Sequence, residues 1–204
     1  MAVPYLWSDA EFTEWLHEAE CEAAERALLL FDDQDESVCD ITTEIGVMRY
    51  PLHESVFDVK KAVLIGTDLR KILDIVARDT MNAENPDWEG DDALIPSSVI
   101  VDEQYIYLHP KPDAEYTVHL STFRLPLDAM KKNGDEPEIH QRHHARLIDW
   151  ALHRAYSKHD ADASDAKKAA DYEAKFERSF GKRPDANVAR KRRHPAGTVK
   201  AINF

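Results

Sequence analysis

Histidines in the C-terminal third come nearest to a metal site by type and spacing. His140 and His144 are four positions apart, so on a helix they would share one face and could hold a metal ion. There is no HExxH motif and no acidic ligand at a matching spacing, and His143, His144 and His153 lie among apolar residues. The favoured interpretation is packed or surface histidines, with His144 hydrogen-bonded inside a helical bundle. A metal-dependent hydrolase that uses His140 and His144 is the weaker hypothesis.

An acidic turn after the first predicted helix is a second candidate. Asp33, Asp35, Ser37 and Glu44 fall at the first, third, fifth and twelfth positions of a calcium-binding loop. Val38 occupies the sixth position, where the sharp turn needs glycine, and a strand pattern begins there. We therefore interpret this segment as a solvated acidic turn.

Motifs for covalent or phosphate chemistry are missing from the sequence. With six glycines, the chain contains no GxxxxGK or GxGxxG motif and no nucleophile elbow. Acidic pairs are too many and too scattered to nominate a general acid and base. The sequence therefore predicts no catalytic residue, no metal and no cofactor, and so a protein that is not an enzyme.

Charge is distributed very unevenly along the chain. Residues 181–204 carry seven basic residues and one acidic residue, a net charge of +6, and since the whole chain carries -13, residues 1–180 carry -19. The basic end is attracted to anionic surfaces, which include phosphates and the acidic body of a neighbouring copy. The last residues, 198–204, are apolar enough to add a strand or fill a groove. A solvated tail is the alternative that stays open.

The extended length of this C-terminal arm is considerable, because residues 182–204 could reach roughly 75 Å at about 3.3 Å per residue. We nominate its basic and terminal apolar side chains for binding to a partner or neighbouring subunit: Lys182, Arg183, Arg190, Lys191, Arg192, Arg193, Ile202 and Phe204.

The remaining composition suggests a folded, water-exposed protein. The hydrophobic fraction of 43% and the four tryptophans argue against general disorder. Cys21 and Cys39 form no CxxC motif and no paired framework, so we expect reduced thiols and synthesis in the cytoplasm. No apolar run approaches the roughly 20 residues of a membrane span. The N-terminus lacks the pattern of a signal peptide, and we expect a soluble protein that is not exported by that route.

Helical periodicity begins near the N-terminus. Ser8 and Glu11 fit a capping box, and apolar residues then follow helical spacing over about 9–31. The outer face of this helix is expected to carry Glu14, Glu18, Glu22 and Glu25.

Two more helices are predicted near the C-terminus, at about 138–158 and about 165–180. Ser164 is the expected cap of the second helix, and Gly181 stands at its C′ position. The helix predicted at about 138–158 is expected to have an apolar face made of Ile139, His143, His144, Leu147, Ile148, Ala151, Leu152 and Ala155.

Between these helices the periodicity changes to that of strands. Strands are predicted at Val38–Thr43, Met48–Leu52, Val56–Ile65, Ser98–Val101, Tyr105–His109 and Tyr116–Leu125. Leu69–Leu73 could add a strand, with Asp74 starting a short helix. The predicted class is therefore α+β: a helical bundle from the N- and C-terminal helices, a β-rich insertion at about 38–125, and an extended C-terminal arm.

Five segments, taken in order, resemble the head-to-tail adaptor proteins of tailed bacteriophages. They are WSDAEFTEWLHEAECEAAERALLL, YPLHESVFDVKKAVL, NPDW, LSTFRLPLD and DEPEIHQRHHARLIDWALHRAYSKHDAD. The similarity extends to Gly181, so residues 1–181 resemble an adaptor domain and residues 182–204 form the arm. The last segment is the most specific, through its acidic-Pro-Glu-Ile opening, His144, Asp149-Trp150, Arg154-Ala155-Tyr156 and Lys158.

The resemblance implies a structural protein of the virion, made in the host cytoplasm and placed at the head–tail junction. Such adaptors form a ring, typically of twelve copies, beneath the portal protein, and they meet the tail or nozzle protein. DNA passes through the channel without sequence-specific binding, and no membrane is involved. By position, the arm from Lys182 to Phe204 would contact the portal. The alternative is a nucleic-acid-binding accessory protein that uses the basic tail, although the acidic body disfavours it.

Overall fold

The computed structural model describes residues 7–132, 134–158 and 165–185. In chain order the elements are α1 (Asp9–Ala27), β1 (Phe31–Asp32), α2 (Glu36–Cys39), β2 (Asp40–Thr42), β3 (Arg49–Pro51), β4 (Val56–Ile65), β5 (Arg70–Ile75), α3 (Arg78–Glu84), β6 (Ser98–Val101), β7 (Tyr105–His109), β8 (Thr117–Arg124), α4 (His144–Ser157) and α5 (Ala166–Phe180). Short 3-10 turns lie at Trp88–Gly90 and Gln141–His143. These helices and strands confirm the predicted α+β class.

The described residues fall into two compact units. Residues 7–30 and 124–184 make the helical unit, and residues 31–123 make the β unit. Each unit has its own hydrophobic core.

The start of α1 follows the sequence prediction, but its end does not. The Ser8 side chain accepts a hydrogen bond from Glu11 N, and the Glu11 carboxylate accepts one from Ser8 N, so the capping box is confirmed. The predicted end near residue 31 is wrong, because Leu28 adopts the left-handed conformation with φ 53° and stops the helix. Phe31 instead enters β1 and pairs with Phe123 of β8.

Small residues on α1 let the helices of the helical unit approach closely. Ala19, Ala23 and Ala24 are fully buried and belong to one core with large side chains from the C-terminal part of the chain. The large members are Ile139, Leu147, Trp150, Phe176 and Phe180. Burying such side chains contributes about 1.5–3 kcal/mol each, so this core is the main stabilising contact of the unit.

The helix predicted at 138–158 begins later than its pattern suggested. The chain makes a 3-10 turn first, in which His140 accepts a hydrogen bond from Arg142 N, and α4 starts only at His144. Ile148 was predicted on the apolar face, but its side chain is half exposed. The reason is that successive helical residues are about 100° apart, so the face centred on buried Leu147 turns Ile148 towards solvent.

The last helix is capped by Asp165, whose carboxylate accepts a hydrogen bond from Lys168 N at 3.0 Å. The predicted cap, Ser164, lies outside the described residues. Gly181 follows the helix with φ 88°, and its N–H donates to Glu177 O at 2.8 Å. The expectation that Gly181 ends the helix is confirmed, because a positive φ favours glycine.

One eight-stranded sheet organises the β unit. Its strand order is β1-β8-β4-β5-β6-β7-β3, and β2 also pairs with β8. The β5–β6 pair is parallel, whereas β1–β8, β2–β8, β3–β7, β4–β5 and β6–β7 are antiparallel.

Strands β6 and β7 bury side chains on both faces of the sheet. Val99 and Leu108 point into the main core, while Ile100 packs with Met81 of α3 and with Trp88. This arrangement follows from the two-residue period of a strand. The loop that contains Trp88 is therefore part of the packed structure.

Most strand predictions hold, and β4, β6 and β7 have the predicted bounds. Two details are wrong. Asp35 caps the one-turn helix α2, so a helix replaces the predicted start of a strand at Val38. Asp74 does not begin a helix, because it pairs with Ser98 in the parallel ladder and β5 continues to Ile75.

A buried carboxylate ties α1 to the chain segment that precedes α4. Glu20 is 1% exposed, and its Oε1 accepts hydrogen bonds from the backbone N–H groups of Glu138 and Ile139. Burial raises the pKa of Glu20, while the two N–H donors favour the ionised form and partly offset that effect.

We expect Glu20→Ala to lower the free energy of unfolding by about 2–4 kcal/mol, because two buried N–H groups lose their acceptor. Glu20→Gln keeps a carbonyl acceptor and should remain within about 1 kcal/mol of the parent. Urea unfolding followed by circular dichroism measures both. Since protonation favours the folded state at a raised pKa, the parent should gain on the Gln variant as the pH falls. Equal losses in the two variants would contradict the acceptor role.

Candidate partner-binding site

The nominated partner-binding residues are only partly described by the structure. Lys182 and Arg183 follow α5 and are exposed. The others, Arg190, Lys191, Arg192, Arg193, Ile202 and Phe204, lie outside the described residues. The structure therefore shows this site only where the arm leaves the helical unit.

We define the arm root as Gly181, Lys182 and Arg183 together with Glu22 and Arg26 of α1. Arg183 Nη2 lies 2.8 Å from Glu22 Oε1, and Arg26 Nη2 lies 2.7 Å from Glu22 Oε2. Arg26 Nη1 also donates to Gly181 O at 3.5 Å. One carboxylate of α1 thus holds two guanidinium groups, and the beginning of the arm is fastened to that helix.

The inner half of the arm root is buried, and the outer half is not. The Arg26 side chain is 4% exposed, and its guanidinium stands 4.9 Å from the Trp150 ring centroid and 5.2 Å from that of Phe176. Arg183 is 67% exposed. The prediction that Glu22 lies on the outer face of α1 is wrong, because Glu22 is the counterion that a buried arginine requires. Its spacing of four residues from Arg26 was the available signal.

The segment at 135–158 serves to hold α4 against α1. Arg154 Nε lies 3.2 Å from Glu18 Oε2, and Lys158 Nζ lies 2.5 Å from Glu11 Oε1. With the Glu20 contact, three carboxylates along α1 receive donors from this segment. Its conspicuous polar residues therefore have structural roles.

The two histidines considered for metal binding have backbone partners. His144 Nε2 lies 2.8 Å from the carbonyl oxygen of Ile139 and donates to it, which confirms the expected hydrogen bond inside the helical unit. His140 precedes the helix, so the two rings do not share a helix face. Within residues 7–132, 134–158 and 165–185, no group of three His, Cys, Asp or Glu residues is placed to hold a metal ion.

The acidic turn considered for calcium is used by the local backbone. Asp35 Oδ1 accepts hydrogen bonds from Ser37 N at 2.9 Å and Ser37 Oγ at 2.7 Å, as the cap of α2. Glu44, the candidate for the twelfth position, belongs to another loop, where its N–H donates to the Tyr50 hydroxyl. Asp35 therefore caps a helix turn, which the sequence pattern did not reveal.

Both cysteines, Cys21 and Cys39, are free thiols. Burial raises the pKa of each to about 11, so the reactive thiolate is suppressed at neutral pH. None of the helices in the described part of the chain has the length and apolar character that crossing a bilayer requires.

A comparison with known protein families finds one matching model. The model is described as SU10 adaptor protein, and it matches residues 2–200. The match covers the helical unit, the β unit and most of the arm. No curated protein matches the chain.

The arm root leads to a stability prediction. Glu22→Gln should cost about 3 kcal/mol of unfolding free energy, because it leaves the Arg26 charge buried without a counterion. The matched change Arg183→Gln should cost less than about 1 kcal/mol, since that partner is exposed. Chemical denaturation of the two variants measures the difference. A cost for Arg183→Gln as large as that for Glu22→Gln would contradict this division of the site.

The Lys158–Glu11 pair leads to a prediction on pH. The Lys158 ammonium, followed by the Ser8 N–H, lowers the pKa of Glu11 to about 2. Because the folded pKa is depressed, this contact stabilises the fold above the ordinary glutamate pKa of 4.5, and that stabilisation is lost as the pH falls towards 2. In Lys158→Met we expect the Glu11 titration, followed by carboxyl NMR, to move up towards 4.5. An unchanged midpoint would exclude Lys158 as the main cause.

Proposed function

The chain belongs to the SU10 adaptor protein family, a phage head–tail adaptor family, and we propose that it forms an oligomeric ring joining the portal of the head to the tail. As a phage adaptor it is a structural component of the virion that interacts with head and tail components. The family match over residues 2–200 carries this proposal.

The proposed ring subunit consists of an adaptor domain and an arm. Residues 1–181 form the adaptor domain, in which the helical unit is the bundle and the β unit is the insertion, and residues 182–204 form the arm. The packing of α1 with α4 and α5, and the separate core of the β unit, support this division. The subunits meet laterally, and twelve copies is the expected number.

The charge of the chain is compatible with a DNA channel. Residues 1–180 carry a net charge of -19. A wall of that sign repels the phosphate backbone, so DNA would slide past without adhering. The same charge disfavours the alternative of a nucleic-acid-binding accessory protein, for which the basic residues Arg190–Arg193 are the available contact.

The arm is proposed to fasten each subunit to the portal or to a neighbouring subunit. The arm root supports this role, because the Arg183–Glu22 pair holds the first residues of the arm against α1. An arm whose first residues are already held loses less conformational entropy on binding. The basic side chains beyond it, Arg190 to Arg193, would then meet an acidic surface.

Two truncations test the arm. One ends at Asp185 and keeps the Arg183–Glu22 pair, and the other ends at Gly181 and removes it. We expect both to fold and both to bind a purified portal ring at least about tenfold more weakly than the full chain, a loss of about 1.4 kcal/mol or more. Circular dichroism verifies folding, and co-sedimentation measures binding.

A control separates the alternative function. The same proteins are tested for DNA binding by gel shift at rising salt, together with a variant in which Arg190, Lys191, Arg192 and Arg193 are replaced by glutamine. Full portal binding by the truncations would exclude the arm as the fastening element. Salt-sensitive DNA binding that is lost in the glutamine variant would favour the accessory-protein alternative instead.

A further inference from the structure

Exposed apolar side chains concentrate at one end of the β unit. Among the described residues, eight large apolar side chains are exposed, and four of them are Ile45, Val47, Leu94 and Ile95. Ile45 is 69% exposed and Leu94 is 59% exposed. Single exposed apolar residues are ordinary, but a group of them in neighbouring loops is typical of an interaction surface.

Two loops are brought together by one segment that follows β7. Gly46 N donates to Pro112 O at 2.8 Å, and Leu94 N donates to Lys111 O at 2.8 Å. The two loops therefore donate hydrogen bonds to the carbonyls of two consecutive residues, Lys111 and Pro112. They continue the order of strands β6, β7 and β3 in the sheet. We name this region, residues 43–47, 91–97 and 110–115, the loop end.

The loop end is tied down by hydrogen bonds on both sides. The Tyr50 hydroxyl accepts from Glu44 N at 2.9 Å and lies 2.8 Å from Val47 O. On the other side, Asp91 Oδ2 lies 2.7 Å from Asn85 Nδ2 and 2.9 Å from His109 Nε2. A surface held in this way loses little conformational entropy when a partner binds.

Negative charge surrounds the apolar side chains of the loop end. Its three segments contain five acidic residues, namely Glu44, Asp91, Asp92, Asp113 and Glu115, and a single basic residue, Lys111. Asp91 is engaged with His109, whereas Glu44, Asp92 and Asp113 are exposed. The surface therefore fits a partner segment that combines basic side chains with a few apolar ones.

The chain itself contains a segment of that chemistry. Residues 186–204 hold five basic residues and no acidic residue, and they end with Val199, Ile202 and Phe204. We infer that the loop end is a docking surface for residues 186–204 of a second copy of this chain. The inference rests on the proposed ring and names a contact within it.

A second copy is the occupant that fits the geometry of a ring. The loop end and the arm are different surfaces, so their contact between copies is heterologous, and repeated heterologous contacts close into rings. Docking of the arm on its own chain would cover the same apolar side chains without joining two subunits. Nineteen residues, counted from 186 to 204, can extend roughly 60 Å at about 3.3 Å per residue.

Photo-crosslinking on the full chain tests the contact. Benzoylphenylalanine replaces Ile45 in one variant and Leu94 in another, and Ile72, an exposed residue of β5, in the control. Each variant is mixed in equal amounts with the ¹⁵N-labelled parent, as free protein and after assembly on the portal. We expect mixed-isotope crosslinks from positions 45 and 94 to peptides within 186–204, and none from position 72.

Other crosslinks would overturn the inference. If all arm products contained a single isotope, the arm would lie on its own chain. Products with the portal or tail protein would assign the loop end to that partner. The absence of any product, in the free and in the assembled protein, would show that the arm does not dock there. Portal binding is measured separately. If the free protein gave mixed-isotope crosslinks but did not bind the portal, the proposed function would be excluded while the docking contact would stand.

Basic substitutions at the loop end provide a second readout. The double change Ile45→Lys and Leu94→Lys removes two apolar contacts and places positive charge opposite a basic segment. It should therefore reduce the yield of crosslinks between arm and loop end at least about tenfold, measured from a benzoylphenylalanine placed at Ile202; tenfold corresponds to about 1.4 kcal/mol. Ile72→Lys is the matched control. Circular dichroism verifies that the variants fold. Equal yields in the double variant and the control would contradict the docking surface.

Discussion

The helical unit depends on matching the buried carboxylates of α1 with hydrogen-bond donors, most of which come from far along the chain. Glu20 receives the N–H groups of Glu138 and Ile139, and Glu22 receives Arg26 and Arg183. A carboxylate moved out of water loses several kcal/mol of solvation unless such donors replace it. The Glu20 contact therefore fixes to α1 the segment that follows the β unit. The Glu22 contact fixes to α1 the first residues of the arm.

Such charged contacts specify position more than they add stability. A well-packed apolar residue often stabilises a core as much as a buried ion pair does. The alanine face of α1 and the aromatic side chains Trp150 and Phe176 already provide the packing. We interpret the contact of Glu22 with Arg183, and that of Arg26 with the Gly181 carbonyl, as fixing where the chain leaves the helical unit.

The groups that might have suggested chemistry are engaged in holding the fold. His144 donates to a backbone carbonyl, Asp35 caps a helix turn, and Cys39 is a buried thiol with a raised pKa. What the β unit offers to solvent is instead a set of ordered loops that carry Ile45 and Leu94 within an acidic surround. This combination suits recognition of another polypeptide, which agrees with the family to which the chain belongs.

Local periodicity in the sequence determined the α+β class, the bounds of β4, β6 and β7, the capping box at Ser8 and the end of the last helix at Gly181, because these depend on residues close together in the chain. The tertiary structure alone decided that α1 stops at Leu28 and that Glu22 is buried. The apolar run beyond Leu28 suits either a helix or a strand, and pairing with Phe123 selects the strand. The spacing of Glu22 and Arg26 is local, but the aromatic rings that cover Arg26 and the second cation on Glu22 lie more than a hundred residues away, which no local pattern contains.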